Sequence, residues 1–496
     1  MRGRQRRVRL AAAVLSGLLL AAAFPPLDLG PLALVGLVPL LWAWRDAGPG
    51  PAALYGGAAG VAYFAVLVEW SRYFGAVAVV PFVLFLSSWW VLAGAVVGWL
   101  GRRGLTGAPV AASVWVLIEA GRGRVPFGGF PWGDVGYAFH DVTTLRALAG
   151  WGGVALLSWM AVAVNGWLLD FALTRRARSL AGVVVLLVVA GVGAATLPEL
   201  TPTGRLRVAL VQGNDRNRDL TREEVRDRYL VRNHLRLAGG IEAPALDLIV
   251  LPESSLDADP RQDAYLDQAL SSLASDRGAD VLAGGNIPAP GDRLFNAVFH
   301  YRPDSGRTEE LYSKRHLVPF GEYVPWRSAL SFIEELQQVP TDYEPGPGPT
   351  VFQIGDHRVG TLVCFESAFS DLARQYARLG ADALVVLTNN RSYRRSANSA
   401  QHLAMGQLRA AETGRPLLQA AISGISAVVD HTGRVRSQTR LFEPTVLVGE
   451  VETYRGRTPY TVVGEWVPPA SAVLLAGWLV ARRLRRQGRA VLDSPE

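Results

Sequence analysis

Apolar residues follow two regimes along this chain. Between residues 8 and 197, long apolar runs are separated by short polar loops. Between 205 and 455, short apolar runs alternate with amphipathic stretches, and a final long run covers 467–481. The long runs lie at 10–24, 31–44, 52–70, 76–100, 105–120, 148–173, 180–197 and 467–481. A helix rising 1.5 Å per residue needs about 20 apolar residues to cross a ~30 Å hydrocarbon core. The runs therefore predict eight spans, of which 31–44, 105–120 and 467–481 are short. The expected organisation is a transmembrane domain over 1–197 with about seven spans, a globular domain over 205–455, a last span at 467–481 and a tail at 482–496.

In the second regime the short runs predict strands at 206–211, 246–251, 281–284, 296–301, 359–364, 383–387, 417–421 and 427–430. Amphipathic stretches predict helices at 221–237, 262–274, 370–379 and 399–413. Strands alternating with helices indicate a layered α/β domain. No internal repeat and no low-complexity tract is visible, and residues 346–349 read as a short loop.

Composition supports a membrane protein. Half of the 496 residues are hydrophobic and 19% are charged, and the mean hydropathy is +0.18. The net charge is +7, and the basic residues sort by position. Five arginines precede residue 10, which together with the first apolar run resembles the start of a signal peptide; further spans follow, so the first run reads as an uncleaved span. With the N-terminus inside, Arg45, Arg102, Arg103, Arg175, Arg176, Arg178 and the arginines of 482–489 fall on the cytoplasmic side, as the positive-inside rule expects. Arg72, Arg122, Arg124 and Arg146 fall outside. Eight spans then place residues 198–466 outside the cell membrane. The outer loop 125–141, VPFGGFPWGDVGYAFHD, is rich in Gly and aromatics and reads as an interfacial belt or a lipid entry site.

The candidate chemistry gathers at predicted strand ends. Residues 358–370 read RVGTLVCFESAFS, and Cys364, the sole cysteine, stands where a strand gives way to the next element. A nucleophile is useful at such a corner, whereas a buried structural thiol needs no particular place. The strand at 246–251 runs directly into Glu253. Lys314 is the sole lysine among 50 basic residues and lies in a loop reading LYSKRHLVPFGEYVP. Codon bias explains the rarity of lysine but not this location. Arginine is a planar fork that keeps its proton, while lysine is a compact point charge. A thiol needs a base to become a thiolate, and a carbonyl under attack needs a positive donor for its oxyanion. Glu253 can be the base, Lys314 the donor and Cys364 the nucleophile. The scattered histidines and single cysteine give no metal pattern, and no cofactor is expected.

PES at 252–254, SKRHLVPFGEYVP at 313–325 and VCFES at 363–367 resemble the three catalytic motifs of the nitrilase, or carbon–nitrogen hydrolase, superfamily. The multi-span N-terminal part, the GFPWGDVGYA loop and the last span resemble its membrane branch, the apolipoprotein N-acyltransferase family. The resemblance implies an αββα sandwich carried by a polytopic helical domain. It implies transfer of an acyl chain from a phospholipid to the amine of a diacylglyceryl-modified lipoprotein, through a thioester, at the outer face of the inner membrane. It also implies a triad at Glu253, Lys314 and Cys364, two further acids at Glu322 and Glu366, and substrate-side roles for Phe365 and Tyr393. Neither nucleic acid nor a cofactor is expected.

The chain departs from that family at three places. Phe365 follows the nucleophile where tyrosine is frequent. Residues 389–393 read NNRSY, leaving Tyr393 as the one aromatic where a pair is common. The first loop of the globular domain, 215–222, lacks the family's tryptophan. The runner-up reading is a membrane-tethered amidase or nitrilase acting on a soluble amide with the same triad. A transporter should carry ionisable residues at mid-membrane, whereas Glu69, Glu119 and Asp170 lie near run ends.

Overall fold

The computed structural model describes residues 2–492 except 217, 218, 244, 334, 335 and 338. It divides into two compact units. One comprises the chain up to Glu69, Ala78–Thr196 and the chain from Val463 onward; the other comprises Trp70–Val77 and Leu197–Val462.

The first unit is helical, and every long apolar run has a helix: Arg2–Ala21, Val38–Trp44, Pro49–Leu67, Ala76–Arg102, Ala108–Arg122, Ala149–Thr174, Ala177–Ala195 and Val467–Leu492. Four of them, Pro49–Leu67, Ala76–Arg102, Ala149–Thr174 and Ala177–Ala195, are long and apolar enough to cross a membrane. The helix Ala177–Ala195 leaves Val184, Val185, Val188, Val189 and Val192 more than half exposed. Water-soluble surfaces do not carry such a stripe, and a lipid surround accounts for it. The Gly- and aromatic-rich loop, read as an interfacial belt or a lipid entry site, keeps part of its aromatic set inside the protein. Trp132, Tyr137 and Phe139 are buried, because Arg122 reaches the Trp132 carbonyl at 2.9 Å and Asp134 at 2.6 Å and draws the loop inward. Gly129 takes φ +88°, where a Cβ would meet the Gly123 backbone at 2.0 Å, so this turn admits only glycine.

Among the described residues, the second unit holds twelve strands. The first sheet contains β1 (Thr201–Gln212), β2 (Leu248–Leu251), β3 (Asp280–Ala289), β4 (Arg293–Arg302) and β5 (Gly306–Ser313). The second contains β6 (Val351–Ile354), β7 (His357–Val363), β8 (Ala383–Thr388), β9 (Leu417–Ala421), β10 (Ala427–Val429) and β11 (Val435–Gln438); β12 (Thr445–Arg455) returns to the first. The sheet orders are β12-β1-β2-β3-β4-β5 and β11-β10-β9-β8-β7-β6. Each has three central parallel strands, β1–β3 and β7–β9, with antiparallel strands on both flanks. The two sheets thus share one plan, although the sequence shows no repeat.

Alternation along β1 explains the layering. Leu206, Val208 and Leu210 pack with Leu362, Val386 and Leu418 of the second sheet, in the core between the sheets. Ala209 and Val211 point the other way, into a core with Ala238, Leu270 and Leu273 from the helices Tyr229–Gly239 and Ala264–Arg277. On the far side, Ser370–Arg378 and Asn398–Thr413 cover the second sheet. The result is the expected αββα sandwich, and central strands buried on both faces read as continuous apolar runs.

Several elements differ from expectation. The predicted helix 221–237 breaks at Arg228, whose φ is +53°, into Arg222–Arg226 and Tyr229–Gly239. Strands β5, β6, β11 and β12 carry no clean apolar run; β12 is held to β1 partly through Arg205 and Arg207 on Glu450. The strand expected to end on Cys364 ends on Val363, and a short 3-10 turn, Cys364–Ala368, separates it from the helix expected over 370–379, which runs Ser370–Arg378.

Candidate active site

The candidate residues come from strand ends of both sheets. Glu253 follows β2, Lys314 follows β5, and Cys364 follows β7. Glu253 lies tight on β3, since a Cβ on Gly284 would stand 2.7 Å from its Cα. Lys314 is fixed through its backbone: its N–H donates to Asn296 O at 2.8 Å, and its carbonyl accepts from Gly346 N–H at 2.8 Å. Cys364 adopts φ +51°, a conformation that costs a non-glycine residue on the order of 1 kcal/mol and turns the chain sharply out of the strand.

Lys314 is 1% exposed, and its Nζ lies 2.9 Å from Glu322 Oε1 and 3.5 Å from Glu253 Oε1. Asn296 Nδ2 donates to both carboxylates, at 2.7 Å to Glu253 and 3.1 Å to Glu322. Glu253 Oε2 accepts from Asn389 N–H at 2.7 Å, and Glu322 Oε2 accepts from Val318 N–H at 2.8 Å. The Cys364 thiol lies near enough to Glu253 for each to perturb the other's titration. Glu253, Lys314, Glu322 and Cys364 therefore form one cluster, assembled from three separate stretches of sequence.

Glu366 is fully buried and stands apart from that cluster. Its carboxylate accepts the Tyr312 hydroxyl, at 2.8 and 2.7 Å, and the N–H groups of Arg315, His316 and Val363 at 2.8, 3.1 and 2.8 Å. It ties the segment after Lys314 to the strand before Cys364. The Phe365 ring packs edge-on against Phe369 at 5.0 Å and beside His316 at 6.0 Å. Tyr393 meets Trp70 at 4.9 Å and Phe74 at 5.7 Å. Trp70 ends the apolar run 52–70, but the helix there stops at Leu67 and Trp70 belongs to the catalytic unit.

Burial pushes the Cys364 thiol up to about 12; Glu253 adds to the rise and Lys314 opposes it. Burial also raises the Glu253 carboxyl, against the pull of Lys314. It would strip the charge from Lys314, but Glu322 and Glu253 outweigh it and hold the ammonium well above its ordinary range. The thiol is therefore protonated at neutral pH. Passing its proton to Glu253 leaves the charge of the pocket unchanged, which is the cheap route to a thiolate here.

Sequence reasoning missed Asn296, Asn389 and His402. His402 is buried, donates from Nε2 to the Cys364 carbonyl at 2.9 Å, and has Nδ1 3.2 Å from Asn390 Nδ2. Burial lowers its pKa to about 4, so it is a neutral prop under the nucleophile's turn. Its place on the predicted helix 399–413 was the one available signal.

Residues 16–167 match the apolipoprotein N-acyltransferase N-terminal domain, and residues 207–460 match the carbon–nitrogen hydrolase family. The chain is similar over nearly its whole length to three apolipoprotein N-acyltransferases. It is 32% identical to that of Geobacter metallireducens, covering 95% of both chains. It is 32% identical to that of Methylococcus capsulatus, covering 96% of this chain and 97% of the relative. It is 32% identical to that of Azotobacter vinelandii, covering 95% of this chain and 94% of the relative. With both halves matched and whole-length relatives at this identity, the chain belongs to the apolipoprotein N-acyltransferase family.

Proposed function

We propose that this enzyme transfers an acyl chain from a membrane phospholipid to the N-terminal amine of the diacylglyceryl-cysteine of a lipoprotein, by way of a thioester on Cys364. The observation that carries the reading is the buried cluster of Glu253, Lys314 and Glu322 against the sole thiol of the chain. Glu253 takes the Sγ proton as sulfur attacks the ester carbonyl. Lys314 and a backbone N–H near Phe365 hold the oxyanion. The C–O bond breaks, the lysophospholipid oxygen takes the proton back from Glu253, and the acyl chain remains on Sγ. The acceptor amine then attacks the thioester, gives a proton to Glu253, and the thiolate leaves. A thiolate leaves readily, so the intermediate is both storable and reactive. Glu322 keeps Lys314 charged and in place, Glu366 fixes the two chain segments, and Tyr393 lines the approach. The chain is a multi-pass protein of the inner membrane with Leu197–Val462 on the outer face.

Purified protein incubated with a labelled phospholipid should gain the mass of one acyl chain on Cys364, and Cys364→Ser should gain none while folding normally. The mass is lost on adding a diacylglyceryl-cysteine peptide, which becomes N-acylated. An amidase or nitrilase using the same triad would form no adduct from phospholipid, so an unlabelled parent protein rejects the acyl-transfer reading.

A further inference from the structure

Two loops of the catalytic unit meet each other. One follows β1, the other follows β8. Asp215 in the first is 3% exposed and lies 2.7 Å from the Arg391 Nε in the second. The carboxylate also accepts from its neighbour's backbone, Arg216 N–H, at 2.8 Å. Asn214 N–H donates to Ile422 O at 2.8 Å, so the first loop is itself fixed to the end of the second sheet. Arg391 N–H in turn donates to the Asn389 side-chain oxygen at 3.2 Å, and Asn389 N–H donates to Glu253 Oε2 at 2.7 Å. A second pair between the same loops, Arg394 and Asp219 at 3.8 Å, is largely exposed and adds little.

A carboxylate this buried is tolerated only with a partner, and removing one member of such a pair is strongly destabilising locally. The contacts form a continuous chain from the first loop to the oxygen of Glu253 that does not face Lys314. Asp215 and Arg391 join the two loops by charge.

We propose that Asp215 and Arg391 are positioning residues that hold the 389–391 turn so that Asn389 N–H stays on Glu253. The inference rests on the reading of Glu253 as the base. The groups that face Glu253 are Lys314 and Glu322 after β5, Cys364 after β7, and Tyr343 and Tyr393. Glu322 is the other carboxylate, and it lies on Lys314 and Val318 N–H rather than on the 389–391 turn.

The test is single-turnover acylation of Cys364 in the full-length protein, followed by mass against pH with phospholipid as donor. A carboxylate that loses an N–H donor gains affinity for its proton. Asp215→Asn and Arg391→Gln should each move the acid limb toward higher pH by on the order of one unit. Rates should fall about tenfold at low pH and return to the parent's at high pH. The double variant should match either single one, because one contact is lost in all three. Arg391→Lys keeps the charge but gives up the planar donor, and it serves where removing the charge prevents folding; a smaller shift in the same direction is expected. An unmoved midpoint in a folded variant overturns the proposal, even if its unfolding temperature drops. Glu253→Gln separates the two ideas. Near-parent acylation by that variant removes Glu253 as base and the positioning role with it, whereas an inactive Glu253→Gln with unmoved loop variants removes the positioning role alone.

Discussion

Lys314 is the residue at which composition and geometry meet. A chain that uses arginine at every other basic position keeps an amine here, 1% exposed, between Glu253 and Glu322. An ammonium is a compact donor that can turn toward an oxyanion without releasing both carboxylates; a guanidinium is larger and its donors diverge. Lys314→Arg should therefore fold and insert but acylate Cys364 on the order of 100- to 1000-fold more slowly. Single-turnover mass spectrometry checks this, and a near-parent rate would return Lys314 to codon bias. The identities of the three central residues were legible in sequence because each is rare, ends a strand or sits in a motif. Asn296 and Asn389 were not, because their value lies in contacts with Glu253 that come from β4 and the turn after β8. No local pattern marks an asparagine for such work.

Two elements carry the site without entering the chemistry. Glu366 gathers four donors, counting Tyr312 once, and so joins the segment after β5 to the end of β7. Glu366→Gln puts an amide among donors and leaves buried N–H groups unpaired, which should cost about 2 kcal/mol of stability. Chemical denaturation should show the loss, with slower acylation as Lys314 and Cys364 separate. The helix Asn398–Thr413 carries His402 under the nucleophile, and Tyr229–Gly239 carries the buried His234. Burial lowers both to about 4, below the ordinary 6.5. A histidine whose folded pKa is lowered contributes fully above pH 6.5 and is lost as pH falls toward 4. Each contributes about 3 kcal/mol at 1.36 kcal/mol per unit. Glu253 and Glu366, both raised by burial, give the opposite slope above pH 4.5 and offset part of this. Thermal unfolding should therefore weaken from pH 6.5 to 4, and His402→Gln should flatten that slope. The strands whose two faces are buried were legible as apolar runs. Those at the flanks, β5, β6, β11 and β12, were not, because half-exposed strands mix charge into the pattern. The break at Arg228 was hidden for a related reason: a left-handed residue between two helical turns leaves the amphipathic spacing intact.

At the scale of the whole molecule, the membrane part was legible as runs, and each run became a helix. Among the described residues only four helices reach spanning length by their apolar content, since Arg2–Ala21 opens with arginines and Ala108–Arg122 is short. Sidedness therefore depends on counting the short helices too. Eight spans keep the arginines of 2–9, 102–103, 175–178 and 482–489 on one side. Removing one span would carry the arginine-rich tail across the membrane, against the charge rule, and would put the catalytic unit inside. The acyl donor and lipidated acceptor are both membrane-embedded, so catalysis alone does not choose the face. The sole cysteine offers a direct reading. In spheroplasts, a thiol reagent that cannot cross membranes should block Cys364 and with it acyl-enzyme formation, and lysis should add no further labelling. Cys364→Ser supplies the blank. Because burial keeps the thiol protonated, labelling should be slow near pH 7 and faster in alkali, which distinguishes modification at Cys364 from surface background. Labelling that appears only after lysis would place the catalytic unit in the cytoplasm and reduce the span count to an odd number.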